Sequence, residues 1–367
     1  MSRVTRRDLL VGASAIAISA FLPAKGFQPF AATAVPKIKR GVTFYSYQEE
    51  YYKHDMNVED CFAEVASMGA TGVQLIAEEM VPNYPNPPQA WVNDWHAMMA
   101  KYKTEPTNID TFVDVYVGGH RKMTTQEAVE TLSSQIRLAN RLGFKVIRPT
   151  TGPVEESATE MIERALPVAE KYDVRIAPEV HAPIPLEGRY IDSYLELIHR
   201  TGTKHVGLTV DCGIFCRRLP RVLIAYCTRH GAQQRVTDYV TSAFEGGATH
   251  EQIMAAVQKM NPSPADMQCA AFSFGYGPIT NQPKQLKRLA PYIYNIHGKF
   301  YEMTDELHEY SIPYDEIIPV LTEIDYAHSI DSEYEGQRWT QDLTITDSCE
   351  QVRREHVMFR QLFGEIA

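Results

Sequence analysis

Four residues stand out for their type and spacing: Glu179, Asp211, His297 and Glu333. Each closes a short run rich in apolar residues, in IAPE, GLTVD, YNIH and SIDSE. Their separations are 32, 86 and 36 positions. The outer two fit a βαβ unit of about 30 or more residues, and the middle one fits such a unit plus an insertion. Three carboxylates crowded together repel one another and are costly to bury unpaired. One divalent cation per chain resolves that conflict and leaves a single net negative charge. Three oxygen donors with one imidazole favour Mn²⁺, with Mg²⁺, Co²⁺, Fe²⁺ or Zn²⁺ as alternatives. Coordination positions left open would take two oxygens of a substrate. The competing reading has the same residues capping helices or pairing with Lys299 and Arg175.

Such ligands need strands to carry them. From Lys39 onward the chain repeats an amphipathic helix, a turn and a compact apolar strand. The first strand spans GVTFYSY, Gly41 to Tyr47. A helix beginning at the N-cap Asn57, with Glu59 and Asp60 in its first turn and Gly69 at its end, leads to GVQLI at Gly72 to Ile76. Further helices precede KVIRP, VRIAPEV, HVGLTVD, YIYNIHGK and AHSIDSE. Another strand is placed near Glu105 to Phe112, and a last helix runs from Cys349 to Leu362. Strands alternating with helices predict parallel βαβ units. The expected fold is an α/β (β/α)₈ TIM barrel over residues 35–367, with ligands at the C-terminal ends of strands five to eight. An open doubly wound sheet is the alternative; it would want a glycine-rich first turn, and QEEYYKH has no glycine. Residues 212–292 interrupt the rhythm over 81 positions. Helical patterns around Pro220 to Tyr226, Arg235 to Phe244 and Thr249 to Met260 mark this interval as an ordered insertion between strands six and seven, expected at the barrel mouth or a subunit contact.

Residues 1–34 read differently. Arg6 and Arg7 precede an apolar run from Leu9 to Leu22, and Ala32-Thr33-Ala34 offers a signal-peptidase site. The run is shorter than the roughly 20 apolar residues of a membrane span, so it reads as a removable twin-arginine-type signal, with an ordinary secretion signal as the alternative. The expected location is the periplasm or beyond, with no membrane span after cleavage. The whole chain carries 36 basic and 46 acidic residues, net −10. The segment holds four basic residues and one acidic one, so its loss leaves −13. That charge repels phosphate backbones and argues against nucleic acid as a partner. Six scattered cysteines form no zinc-binding spacing; they read as buried thiols or one loop disulfide.

The runs IAPEVH, GLTVDCG, NIHGK and DSEYEG resemble the metal-bearing strands of the xylose isomerase-like barrel superfamily, over most of the chain from Lys39. That group includes sugar isomerases, ketose 3-epimerases, inosose dehydratases and endonuclease IV. The resemblance places Glu179, Asp211, His297 and Glu333 on its metal ligands. Glu179-x-His181, His297-Gly298-Lys299-Phe300 and Glu333-Tyr334-Glu335-Gly336 are more closely similar to the catalytic subunit of bacterial C-glycoside deglycosidases, which implies that His181 acts as a base beside the metal. Strand alternation agrees, since it puts His181 on the same side as Glu179. Ile214 stands where endonuclease IV-type members carry a second-metal histidine, and Gln74 stands where many relatives have Glu. A single-metal site follows.

Tyr45, Tyr47 and Trp339 are expected at the mouth as ring surfaces for a sugar or flat aglycone, with Arg148, Lys299 and Arg338 for hydroxyl or carboxylate groups. The implied chemistry is removal of a proton next to a carbonyl by His181, or by Glu179 or Glu333 beside the metal. Loss of a β-group would cleave a 3-keto glycoside; return of the proton would isomerise or epimerise a sugar. An exported, metal-dependent sugar-binding barrel is the non-enzymatic alternative. The partner is a small sugar or glycoside, and a homo-oligomer or a small accessory subunit is compatible with it.

Overall fold

The computed structural model describes residues 38–113, 116–117, 121–150, 155–277, 279–343 and 347–366. The expected signal, residues 1–34, lies outside the described residues. The strands are β1 (Lys39–Thr43), β2 (Gly72–Ile76), β3 (Glu105–Phe112), β4 (Tyr116–Val117), β5 (Arg121–Lys122), β6 (Val146–Thr150), β7 (Arg175–Ile176), β8 (Glu179–Val180), β9 (Leu208–Asp211), β10 (Ile293–Phe300) and β11 (Ser329–Tyr334). Nine of them form a parallel sheet in the order β7-β6-β3-β2-β1-β11-β10-β9-β8. Its two edges, β7 and β8, are the halves of one stretch, Arg175–Val180, interrupted only by Ala177 and Pro178. The amide of Ala177 donates to the carbonyl of Ile147 at 2.8 Å, while Ile176 donates to His205 at 2.8 Å and Thr209 donates to Pro178 at 3.0 Å. Both edges of the sheet therefore run along the same short stretch. With helices between successive strands, this is the α/β TIM-barrel architecture with helical insertions.

Local signals explain where helices begin. Asn57 caps Val58–Ser67 and exchanges hydrogen bonds with Asp60, and Thr124 does the same with Glu127 ahead of Thr125–Leu142. Gly143 ends the second of these at φ +89°, a left-handed position that glycine occupies without cost. The helices press apolar faces onto the strands. Phe62 meets Trp95 edge-on at 5.0 Å and Phe44 at 5.3 Å, closing the layer between β1 and its flanking helices.

Three expectations change. The first strand stops at Thr43, where the side chain accepts from the Tyr45 amide and the chain turns into a 3₁₀ helix, Phe44–Tyr47. A 3₁₀ turn rotates side chains by about a third of a circle per residue, so Tyr45 and Tyr47 do not share a face. Tyr47 is fully buried and is withdrawn as a substrate contact. The antiparallel pair β4–β5 was not expected. The third change is that the described part of residues 212–292 holds five α-helices, Arg221–Arg229, Gln234–Glu245, His250–Gln258, Pro264–Phe272 and Leu286–Leu289, of which Pro264–Phe272 was unforeseen. The six cysteines are unpaired thiols, five of them buried. No helix among the described residues is long and apolar enough to cross a membrane.

Candidate metal centre

Parallel pairing sets the site. Register aligns Asp211 of β9 with His297 of β10, and Lys299 of β10 with Glu333 of β11. Glu179 on β8 pairs with Thr209 of β9. One ligating atom from each of Glu179, Asp211, His297 and Glu333 lies within 4.8 Å of all the others. His297 is fully buried, Asp211 and Glu333 nearly so, and Glu179 retains 8% exposure. His297 Nδ1 lies 2.8 Å from Glu179 Oε1 and 3.0 Å from Glu333 Oε2. Neither Nδ1 nor Glu333 Oε2 has a hydrogen-bond partner. Two orphaned ligating atoms aimed into a hard, oxygen-rich donor set fit a divalent metal.

Electrostatics point the same way. Burial opposes the charge on Glu179, but Arg148 and His297 outweigh it and hold the carboxyl well below the usual range. Burial is likewise overcome at Glu333, which Lys299 and His297 bring down to about 2. Asp211 rises to about 6, because burial reinforced by Glu333 and Glu179 exceeds the pull of Lys299. His297 is raised well above its ordinary value, since the Glu333 and Glu179 carboxylates overcome its burial. The cluster is strongly anionic and draws on every cation nearby.

A cleft of about 440 Å³ opens above these residues. His181, Arg148, Tyr45, Lys299 and Arg338 all line it. The His181 ring places Nδ1 2.7 Å from the carbonyl of Ala182. A carbonyl only accepts, so Nδ1 carries the proton and Nε2 keeps the lone pair. Arg148 is tied to Asp110 Oδ1 at 2.7 Å and approaches Glu179 at 3.5 Å. Lys299 Nζ sits 3.2 Å from Asp211, 3.3 Å from Glu333 and 3.2 Å from Glu335. Glu335 also accepts from Tyr45 at 3.2 Å and from Arg338 at 2.8 Å.

Trp339 is not among the cleft residues. It packs against Phe272 at 4.9 Å and Tyr226 at 5.3 Å, fastening the inserted helices to the segment after β11, and is withdrawn as a substrate contact. Sequence reasoning missed Asp110, Phe112, Thr150 and Gly275, of which the last three line the cleft. Gly275, from within residues 212–292, is the point at which that interval reaches the cleft. A groove of about 490 Å³ along Tyr310–Glu316 holds the buried Glu309, whose carboxylate is taken up by the amides of Tyr301, Ser311 and Ile312. Among the described residues it offers no metal-ligand cluster.

Comparison with known proteins agrees with this geometry. Residues 62–217 match a family described as xylose isomerase-like TIM barrel. The chain is 26% identical over 352 residues to the 3'-dehydrocarminate deglycosidase alpha subunit of a Microbacterium species, spanning 91% of this chain and 97% of that protein. It is 27% identical over 318 residues to a C-glycoside deglycosidase alpha subunit of Arthrobacter globiformis, spanning 82% and 84% of the two chains. In fold it is similar to D-psicose 3-epimerase from Clostridium cellulolyticum H10, with a TM-score of 0.55 at 11% identity over 88% of this chain and 98% of the other. Over residues 62–217 the chain is similar to the xylose isomerase-like TIM barrels, and over most of its length it is related to the bacterial C-glycoside and 3'-dehydrocarminate deglycosidase alpha subunits.

Proposed function

We propose that this protein is a metal-dependent lyase that cleaves 3-keto glycosides by β-elimination. The observation that carries the reading is the four-residue cluster with its ligating atoms within 4.8 Å, set in the same cleft as His181. Glu179, Asp211, His297 and Glu333 would hold one divalent ion, Mn²⁺ by its donor set, and that ion would supply Lewis-acid stabilisation of developing oxygen charge. His181 Nε2 takes the proton from the carbon next to the substrate carbonyl. The released electron pair forms a carbon–carbon double bond as the bond from the β-carbon to the aglycone breaks, and the aglycone takes up a proton. Lys299 and Arg338 present positive charge to the leaving group or to sugar hydroxyls, and Arg148 braces Glu179 from below.

Several finer points belong to the same reading. The hydrogen bonds from Arg175–Val180 to both neighbours support one continuous strand, hence an eight-stranded closed barrel with residues 212–292 inserted between strands six and seven. The relatives' designation as alpha subunits supports a further, accessory subunit. The paired arginines and apolar run of residues 1–34 support export.

The test is incubation of the Mn²⁺-loaded protein with a panel of 3-keto glycosides and free ketoses in D₂O. Release of aglycone together with an unsaturated keto-sugar is expected. Solvent deuterium in an intact epimerised or isomerised sugar would replace this reading with isomerase or epimerase chemistry. Neither product from any substrate would leave a sugar-binding barrel.

A further inference from the structure

His297 is held from both ends. Nδ1 faces the carboxylates of the cluster, while Nε2 lies 2.8 Å from the amide nitrogen of Gln74. Gln74 sits mid-way along β2, fully buried, with the same nitrogen donating to Asp110 Oδ2 at 2.6 Å. Asp110 is in turn fixed by Arg148, and Arg148 reaches Glu179. A closed circuit results: His297, Gln74, Asp110, Arg148, Glu179 and back to His297. Two buried atoms in it have no hydrogen-bond partner, His297 Nδ1 on the metal side and Oε1 of Gln74.

A metal on Nδ1 requires the lone pair there, which puts the ring proton on Nε2 and demands an acceptor for it. Asp110 is poorly placed to serve, because its nearer oxygen is 3.8 Å from Nε2 and already receives Arg148. An amide carries an acceptor and a donor on one carbon. In the structure the nitrogen makes both contacts and Oε1 makes none; turning the amide about its last side-chain torsion would bring Oε1 to the Nε2 proton and leave an N–H for Asp110. We propose that Gln74 is a positioning residue for the metal centre, its carbonyl oxygen accepting from His297 Nε2 so that Nδ1 is presented to the ion. Glutamine also has a neutral side chain, so it adds no second negative charge beside Asp110. This rests on the cluster being a metal site, as argued above.

The experiment measures Zn²⁺ affinity of the full chain by competition with a chromophoric chelator, beside the thermal midpoint of the metal-free protein. Gln74→Leu keeps the volume and removes the acceptor; Gln74→Glu keeps an acceptor and can share a proton with Asp110. Gln74→Leu is expected to lose about 10- to 100-fold in affinity, the usual effect of removing such a partner, with the metal-free midpoint retained. Gln74→Glu is expected to recover most of that loss. Wild-type affinity in Gln74→Leu overturns the proposal, and so does an equal loss in both variants. Should Gln74→Leu fail to fold, Gln74→Met makes the same comparison. No Zn²⁺ binding by the wild type would instead overturn the metal reading itself, an outcome distinct from the other two.

Discussion

On β11, Asp331 and Glu333 point to the same side of the strand, two residues apart, into clusters of opposite character. Around Asp331 the partners are neutral, and one oxygen takes all of their bonds. Its Oδ2 accepts from Asn295 at 2.7 Å, Thr107 at 2.9 Å and Ser329 at 3.2 Å. Its Oδ1 has no hydrogen-bond partner and is pressed against backbone, since a Cβ at Gly41 would lie only 1.9 Å away. Burial pushes the carboxyl up to about 6. One layer up, Glu333 shares its space with Glu179, Asp211, His297 and Lys299, keeps an unpartnered oxygen, and borders a cleft. Both clusters are buried, so burial does not separate structure from function. The charge of the neighbours and access to the cleft do. A carboxylate sealed among neutral donors holds strands together, whereas three carboxylates gathered with an imidazole beside an open cleft wait for a ligand.

The comparison breaks most sharply at a ligand. His297→Ala should lose the metal and at least about 10³-fold in turnover, since Lewis-acid stabilisation supplies several kcal/mol to such a reaction. The metal-free variant should be no less soluble or helical by circular dichroism. Retained turnover at wild-type metal content would erase the distinction between the two clusters. His181→Ala should keep its metal and lose about 10²–10⁴-fold, the usual contribution of general acid–base catalysis. Deuterium exchange at the carbon next to the carbonyl should fall in parallel. Exchange at the wild-type rate would move His181 to a later step, and unchanged turnover would make it structural.

Asp331→Leu should show the reverse pattern. It strands the buried donors of Asn295 and Ser329 and the half-buried one of Thr107, so a loss of about 1–3 kcal/mol in urea unfolding is expected, as for unsatisfied buried groups. Metal affinity should stay near that of the wild type. A metal defect with unaltered stability would contradict the structural assignment. The smallest effect is in the pH dependence. Asp331 has a folded pKa, about 6, above its ordinary value near 3.8. The folded state then binds its proton more tightly, so its contribution is fully present below about pH 4 and is lost as pH rises through 6. Relative to Asp331→Asn, which cannot titrate, the wild type should lose stability across that window, by about 1.4 kcal/mol per pH unit at most. A flat difference curve would show that Asp331 is ionised when folded.

Much of this was legible in the residues. The four residues of the cluster could be found because parallel strands end on one face, and their separations follow the βαβ period. Asn57 and Gly69 marked the ends of a helix by local chemistry alone. What could not be read depended on contacts distant in sequence. Tyr47 follows strand alternation on paper, but the Thr43 side chain turns the chain into a 3₁₀ helix and buries the ring. Trp339 looks like a sugar platform until the inserted helices bring Tyr226 and Phe272 against it. Asp110 lies inside β3, and nothing local distinguishes it from Asp331; only Arg148 and Gln74, from two other strands, give it a place in the circuit. The closeness of Gln74 to His297 spans 223 positions of chain.

The central claim is that Glu179, Asp211, His297 and Glu333 form one divalent-metal site. Metal content settles it most directly, measured by elemental mass spectrometry on protein stripped with chelator, reloaded with Mn²⁺ and desalted. One Mn²⁺ per wild-type chain is expected, falling to background in His297→Ala and in Glu333→Gln, with Asp331→Asn still at one. Background metal in the wild type, or full loading in the two ligand variants, would contradict the account.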